Sequence, residues 1–272
     1  MTQKLAYPAY RAYCSNITGM FAMILDLNFF LFAIPAVLFA GLSKGGFGSG
    51  AAFAAAPFLA LAIEPALAVG FMLPMLILMD LAGMQAFWRD WNWPVARALM
   101  IGMVPGVIVG ALIFRHTNAD VLRFLIGVVA VSFVLFQLSK SRGWLSLSKR
   151  PLGQRHGIFW GMISGFTSFV SHAGGPAAMV YLLPQSLSKR AFQSTTVLAF
   201  WWVNLIKVPP YAMIGMFTPE TLMANIYMAP VALIGMWSGV WLHNRMSDRL
   251  FFGFAYVFLL ITGGKLIFDA LT

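Results

Sequence analysis

Lys44 stands inside GLSKGGFGSG (41–50), where a cation and a run of glycines interrupt an otherwise apolar stretch. A charged side chain at the bilayer centre costs about 2.5–3.5 kcal/mol on insertion scales. Each glycine weakens a helix by roughly 1 kcal/mol against alanine. A second interrupted stretch, SFVSHAGGP (168–176), puts His172 in the comparable place. Ser43, Lys44, Gly45 and Gly46 thus correspond to Ser171, His172, Gly174 and Gly175. Each set offers a hydroxyl, a cationic or proton-bearing group and glycine amides that a ligand can approach closely. Unpaired backbone groups at membrane depth are tolerated where they line a cavity or bind something. Helix N-termini and successive glycine amides make anion sites. Two such tips facing each other would form one anion pocket near the midplane. The plainer alternative is a lysine that reaches water from a turn.

Further polar residues lie within apolar runs. Asp80 is deep in 66–87, and Asn204 and Lys207 are deep in 192–216. Asn204 falls close to the Asp80 position when the two halves of the chain are overlaid. Asp80 and Lys207 could pair to hold the halves together, or they could mark a substrate or proton path. Lys44, Lys207 and His172 against a single Asp80 leave a cationic excess, which suits a small anion. The run VPPY (208–211) is expected to kink or end its helix and so place Lys207 at a break. His116, His156 and His243 lack metal-ligand spacing, and no phosphate-binding, dinucleotide or HExxH motif occurs. Neither metal nor cofactor is expected.

The elements that must position these residues are membrane helices. The chain has 272 residues, of which 60% are hydrophobic and 10% charged, with a mean hydropathy of +0.82. A soluble domain carries about 25% charged residues. Apolar runs of roughly 20 residues, the length that crosses a bilayer, recur at 66–87, 95–114, 119–138, 192–216, 221–242 and 250–270. The expected fold is an all-α integral membrane protein, ordered as a tail (1–27), a first repeat (28–138), a basic linker (139–156) and a second repeat (157–272). Each repeat reads as a Gly-rich broken or re-entrant hairpin followed by three spans. GVIVGALIFRHTNADVLRF (106–124) aligns with GMWSGVWLHNRMSDRLFF (235–252), and both carry a GxxxG suited to close helix packing.

Formal charge is +10, but the basic residues sit mostly in short loops between apolar runs, a topology signal that excludes nucleic acid as the expected partner. If each broken segment returns to its own side, the halves are inverted. Arg89, Arg97, the linker cations, Lys189, Arg190, Arg245 and Arg249 then share the cytoplasmic side. If each crosses, the halves are parallel and the charge asymmetry is smaller. The positive-inside rule favours inversion. The lone Cys14, in the tail, allows no intramolecular disulfide and is poorly placed for nucleophilic chemistry, so an enzyme is not expected.

The chain resembles the TauE/SafE sulfite exporter family from about residue 28 to the end. The likeness rests on GLSKGGFGSG, on SHAGGPAAMVYLLPQSLSKRAFQSTT (171–196) and on NLIKVPPY (204–211). Ala177 stands where a second proline is usual after Gly-Gly-Pro. The resemblance implies a multi-pass transporter of the bacterial inner membrane that moves sulfite, sulfonates or related organosulfur anions, mostly outward. The residues alone imply only a small anion, a lipid bilayer and the possibility of a homo-oligomer. An anion channel or a proton-coupled importer of a small organic anion is the alternative.

Overall fold

A computed structural model describes residues 26–46, 52–86, 88–144, 150–243 and 248–272. Most of the tail and residues 47–51 of the first glycine tip lie outside the described residues, as does part of the basic linker. The described residues are helical, without strands. The first half comprises α1 (Leu27–Gly46), a 3-10 turn (Ala52–Ala54) leading into α2 (Ala55–Leu59), α3 (Pro65–Ala86), α4 (Trp93–Arg115) and α5 (Ala119–Ser141). The second half repeats that order with α6 (Gln154–Ser171), α7 (Gly175–Leu182) with a 3-10 turn (Leu183–Gln185), α8 (Lys189–Ile214), α9 (Pro219–His243) and α10 (Asp248–Leu271). Among the described residues, α1, α3, α4, α5, α8, α9 and α10 are long and apolar enough to cross a membrane.

Local chemistry sets where these helices begin. Asn92 accepts a hydrogen bond from the Val95 amide at 3.2 Å, so α4 starts at Trp93 rather than at Val95. Asn118 caps α5 through the Val121 amide at 2.9 Å, and Ser188 caps α8 through the Ala191 amide at 3.2 Å. Such side chains satisfy amide groups that a helix start leaves open. Gly215 ends α8 at φ 83°, a left-handed turn that glycine adopts without a Cβ penalty. The expected break at VPPY does not occur, because α8 continues through Pro209 and Pro210 to Ile214. Membrane helices tolerate proline where neighbouring helices and side chains re-satisfy the freed groups. Lys207 therefore sits in an unbroken helix.

The broken segment of the second half folds back on itself. Gln185 Nε2 donates to the Leu152 carbonyl at 2.9 Å, and Ser164 Oγ donates to the Gly174 carbonyl at 2.8 Å. A Cβ on Gly157 would lie 2.6 Å from the Tyr181 ring. These three contacts step along α6 in one direction and along α7 in the other, so α7 runs back beside α6. In the first half, Phe29 near the start of α1 stacks edge-on against Phe71 in α3 with ring centroids 5.3 Å apart. Lys44, near the end of α1, reaches Leu76 and Asp80 further along α3. The two helices run in the same direction.

Glycine contacts weld each hairpin to the other half. A Cβ on Gly106 would lie 2.1 Å from the Met162 carbonyl, and one on Gly102 would lie 2.0 Å from the Ile158 carbonyl, so α4 and α6 touch backbone to backbone. The α1–α9 contact is built the same way, with Gly239 facing the Leu42 carbonyl at 2.5 Å and Gly46 facing Gly239 itself at 2.3 Å. Small residues permit this approach, and dispersion then holds the helices where lipid offers no hydrophobic drive. α3 runs antiparallel to α8, and α5 to α10. Gly70 of α3 meets Met216, Asp80 meets Asn204, and Asp90 beyond α3 meets Arg190 at the start of α8. Likewise Gly127 of α5 faces Gly263 and Ile267, while Phe133 stacks on Tyr256 with centroids 5.8 Å apart.

Candidate functional site

The hairpin ends deliver the polar residues to one buried place. His172 caps α6 at φ 58°, a left-handed conformation that histidine adopts only with some strain, and Gly175 then opens α7. That turn points the imidazole at the first half, where Nε2 lies 2.8 Å from the Val69 carbonyl of α3. Lys207 Nζ on α8 lies 2.8 Å from His172 Nδ1 and 3.1 Å from both the Ser168 carbonyl and its Oγ. These contacts fix the imidazole. A carbonyl only accepts, so Nε2 carries the proton, and Nδ1 accepts from the lysine. The ring is neutral in this arrangement, and all three ammonium protons of Lys207 have uncharged partners.

Lys44 is differently placed. Its ammonium pairs with Asp80 and reaches the Leu76 carbonyl at 3.4 Å. The other carboxylate oxygen of Asp80 accepts from Asn204 Nδ2 at 2.6 Å. The ion pair joins α1 to α3 within the first half, and Asn204 extends it to the second. Asp80 therefore does not pair with Lys207. Both members are buried, with side-chain exposures of 8% for Lys44 and 4% for Asp80, so Lys44 is not a turn residue reaching water.

Lys44, Ser168, His172 and Asn204 line one small cavity together with Ala52, Leu76 and Phe200. Its volume of about 20 Å³ holds little more than one water. Lys207 sits behind this lining, held by Ser168 and His172. The two tips thus meet on a shared space, but their glycines have other neighbours. A Cβ on Gly45 would lie 2.1 Å from the Met236 carbonyl, and one on Gly174 would lie 2.7 Å from the Ser164 carbonyl. Gly46 likewise faces α9. Ser43 is fully buried, and Ser171 Oγ donates back to the Thr167 carbonyl at 3.3 Å.

Sequence reasoning missed Ser168, Val69 and Tyr211. Ser168 precedes His172 by one helical turn, a spacing that puts both on one face. Val69 contributes only a carbonyl, which no side-chain pattern reveals. Tyr211 donates to the Phe169 carbonyl at 2.6 Å and anchors the end of α6.

Neither the curated proteins nor the solved structures contain a match to this chain. A family model described as Sulfite exporter TauE/SafE matches residues 33–266, from within α1 to within α10. That range takes in both hairpins, every residue on the cavity and Lys207. The chain, with two hairpin tips meeting on a buried cationic site among membrane-spanning helices, belongs to the sulfite exporter TauE/SafE family.

Proposed function

We propose that the protein exports small sulfur-containing anions, sulfite or a sulfonate among them, across the bacterial inner membrane, and that its halves act as inverted repeats around the site. Lys207 carries this reading. It is 0% exposed, lies within a membrane helix, and has only neutral acceptors around it. A buried, uncompensated cation is expensive, and function is the usual reason one is kept. With Lys44 matched by Asp80, the cluster retains a net positive charge at neutral His172, and a small anion would balance it. The substrate-binding set is Ser43, Lys44, Gly45, Gly46, Ser171, His172, Gly174, Gly175, Asn204 and Lys207, with Asp80 coupling the halves.

Two features support alternating access. Returning hairpins and antiparallel corresponding helices fit inverted halves that can rock about a shared centre. A cavity holding about one water fits an occluded state of a carrier better than an open pore. Export suits the energetics, since one negative charge leaving an inside-negative cell gains about 2.3 kcal/mol per 100 mV. Uptake of labelled sulfite, sulfoacetate, thiosulfate and sulfate into proteoliposomes at a clamped potential tests the reading. Saturable uptake of at least one, above empty vesicles, is expected. Unitary currents in a planar bilayer, or no uptake of any of the four, would overturn it.

A further inference from the structure

The cavity's strongest donors already hold an anion, and that anion belongs to the protein. Lys44 Nζ and Asn204 Nδ2 both line the cavity, and both are bonded to the carboxylate of Asp80, one to each oxygen. Two oxygens on one central atom, each receiving an N–H, is also how a sulfur oxyanion would be held. The remaining polar lining offers little competition. His172 has Nε2 committed to Val69 and Nδ1 to Lys207, and Ser168 Oγ accepts from Lys207. An anion entering this space meets no cation that is free to receive it.

We infer that the transported anion replaces the Asp80 carboxylate on Lys44 and Asn204, and that Asp80 takes up one proton as it is displaced. The inference rests on the transporter reading and specifies its substrate class and its coupling. Asp80 receives the fields of Lys44 on α1 and Lys207 on α8. About one turn further along α3, the Met236 methyl of α9 lies 3.5 Å from where a Cβ on Gly83 would be. A carboxylate pushed off Lys44 and Asn204 loses the two donors that the fold gives it. Retaining its charge there would be costly, whereas a neutral carboxylic acid needs no counter-ion. Once Asp80 is neutral the site holds two ammonium groups, Lys44 and Lys207, around neutral His172. A dianion matches them. The substrate class is therefore a doubly charged sulfur oxyanion, moved with one proton, for a net charge of one negative per cycle.

For sulfite such a cycle is indistinguishable from movement of bisulfite, because sulfite itself titrates near neutrality. Thiosulfate, a dianion with no titrating group in that range, is the probe. Thiosulfate binding to detergent-purified protein is followed calorimetrically, and proton uptake is read with an indicator dye in weak buffer. Wild-type protein is expected to take up one proton per thiosulfate bound, with Kd rising about tenfold per pH unit above the titration of Asp80. Asp80→Asn is expected to bind thiosulfate without proton uptake, with a pH-independent Kd tighter than wild type on the alkaline side. A merely structural Asp80 would instead give weaker binding and an unchanged proton count. His172→Gln is expected to keep the wild-type pH slope, and losing it would move the proton to the imidazole and overturn the assignment. Thiosulfate binding to wild type without proton uptake, or no thiosulfate binding at all, also overturns it, and neither result needs a variant to fold. Failure of the transporter reading is separate and shows as no uptake of any labelled anion into vesicles.

Discussion

At the scale of single residues, Lys207 and Asp80 illustrate opposite solutions to charge in a membrane. Asp80 is matched by an ammonium and an amide, which offset part of the cost of its burial within the protein. Lys207 has good hydrogen bonds but no countercharge in contact with it, so the desolvation of its ammonium is only weakly offset. Replacing it with methionine removes that charge while keeping an unbranched apolar chain of similar length. Lys207→Met is therefore expected to melt at or above the wild-type temperature in detergent and yet to lose anion uptake. A gain in stability with loss of activity marks a residue held for function. Wild-type initial rates in the folded variant would place the anion elsewhere. Tyr211 makes the contrasting case. Tyr211→Phe deletes a buried hydrogen bond to Phe169 and should lower stability by about 0.5–1.5 kcal/mol, with anion affinity unchanged in a binding assay.

At the scale of elements, the glycines separate into two kinds. Most of those on α1, α4, α6 and α9 lie where one helix backbone touches another, and a side chain there has no room. Gly106→Val and Gly239→Val would drive a Cβ to 2.1 Å and 2.5 Å from a facing carbonyl. Each should push the paired helices apart and cost several kcal/mol, in the range of overpacked cores, visible as loss of a monodisperse peak on size exclusion. Gly264 on α10 has nothing within 4 Å of the same position. Gly264→Ala should be neutral or stabilise by about 0.5–1 kcal/mol, since alanine gives up less freedom in a helix. Equal damage from all three would mean that lipid-facing packing, not helix contact, sets the tolerance. Gly45 and Gly174 belong with the close-contact kind. Substituting them would disturb packing as well as any ligand, so they cannot by themselves locate the anion.

At the scale of the molecule, the hairpins decide orientation. In the proposed inverted arrangement each returns to its own side, so three crossings would separate the start of one half from the start of the next, and the second half would begin on the opposite face. The short loops rich in basic residues would then share a face with the linker, as the positive-inside rule prefers in the cytoplasm. In a Cys14→Ser background, Trp144→Cys and Lys189→Cys should resist a membrane-impermeant thiol reagent applied to intact cells. His116→Cys and Thr272→Cys should react. Labelling of Lys189→Cys while Trp144→Cys stays protected would mean that the second hairpin crosses the bilayer and that the halves are parallel.

Much of the plan is already contained in the chain. Apolar runs of membrane length, repeated order, GxxxG pairs and basic residues mostly in loops are local or periodic properties. They determine helices and spans by composition and spacing, while the family rests on the likeness of GLSKGGFGSG, SHAGGPAAMVYLLPQSLSKRAFQSTT and NLIKVPPY to its motifs. The same reading placed Lys44, His172, Asn204, Lys207 and Asp80 in apolar surroundings, because a polar residue within such a run is conspicuous wherever it finally packs. Partnership is another matter. That Lys44 rather than Lys207 meets Asp80, that Ser168 and the Val69 carbonyl hold the second tip, and that Gly45 faces a helix backbone follow from which helices pack together and how far each is turned about its axis. Contacts between residues a hundred positions apart leave no trace in local pattern. Pro209 and Pro210 show the same limit from the other side. Their propensity to break a helix is local, and the packing that overrides it is tertiary. The sequence determined which residues would have to be accommodated inside the membrane, and only the folded arrangement decided what each of them holds, because burial turns every polar contact into a choice among the few partners within reach.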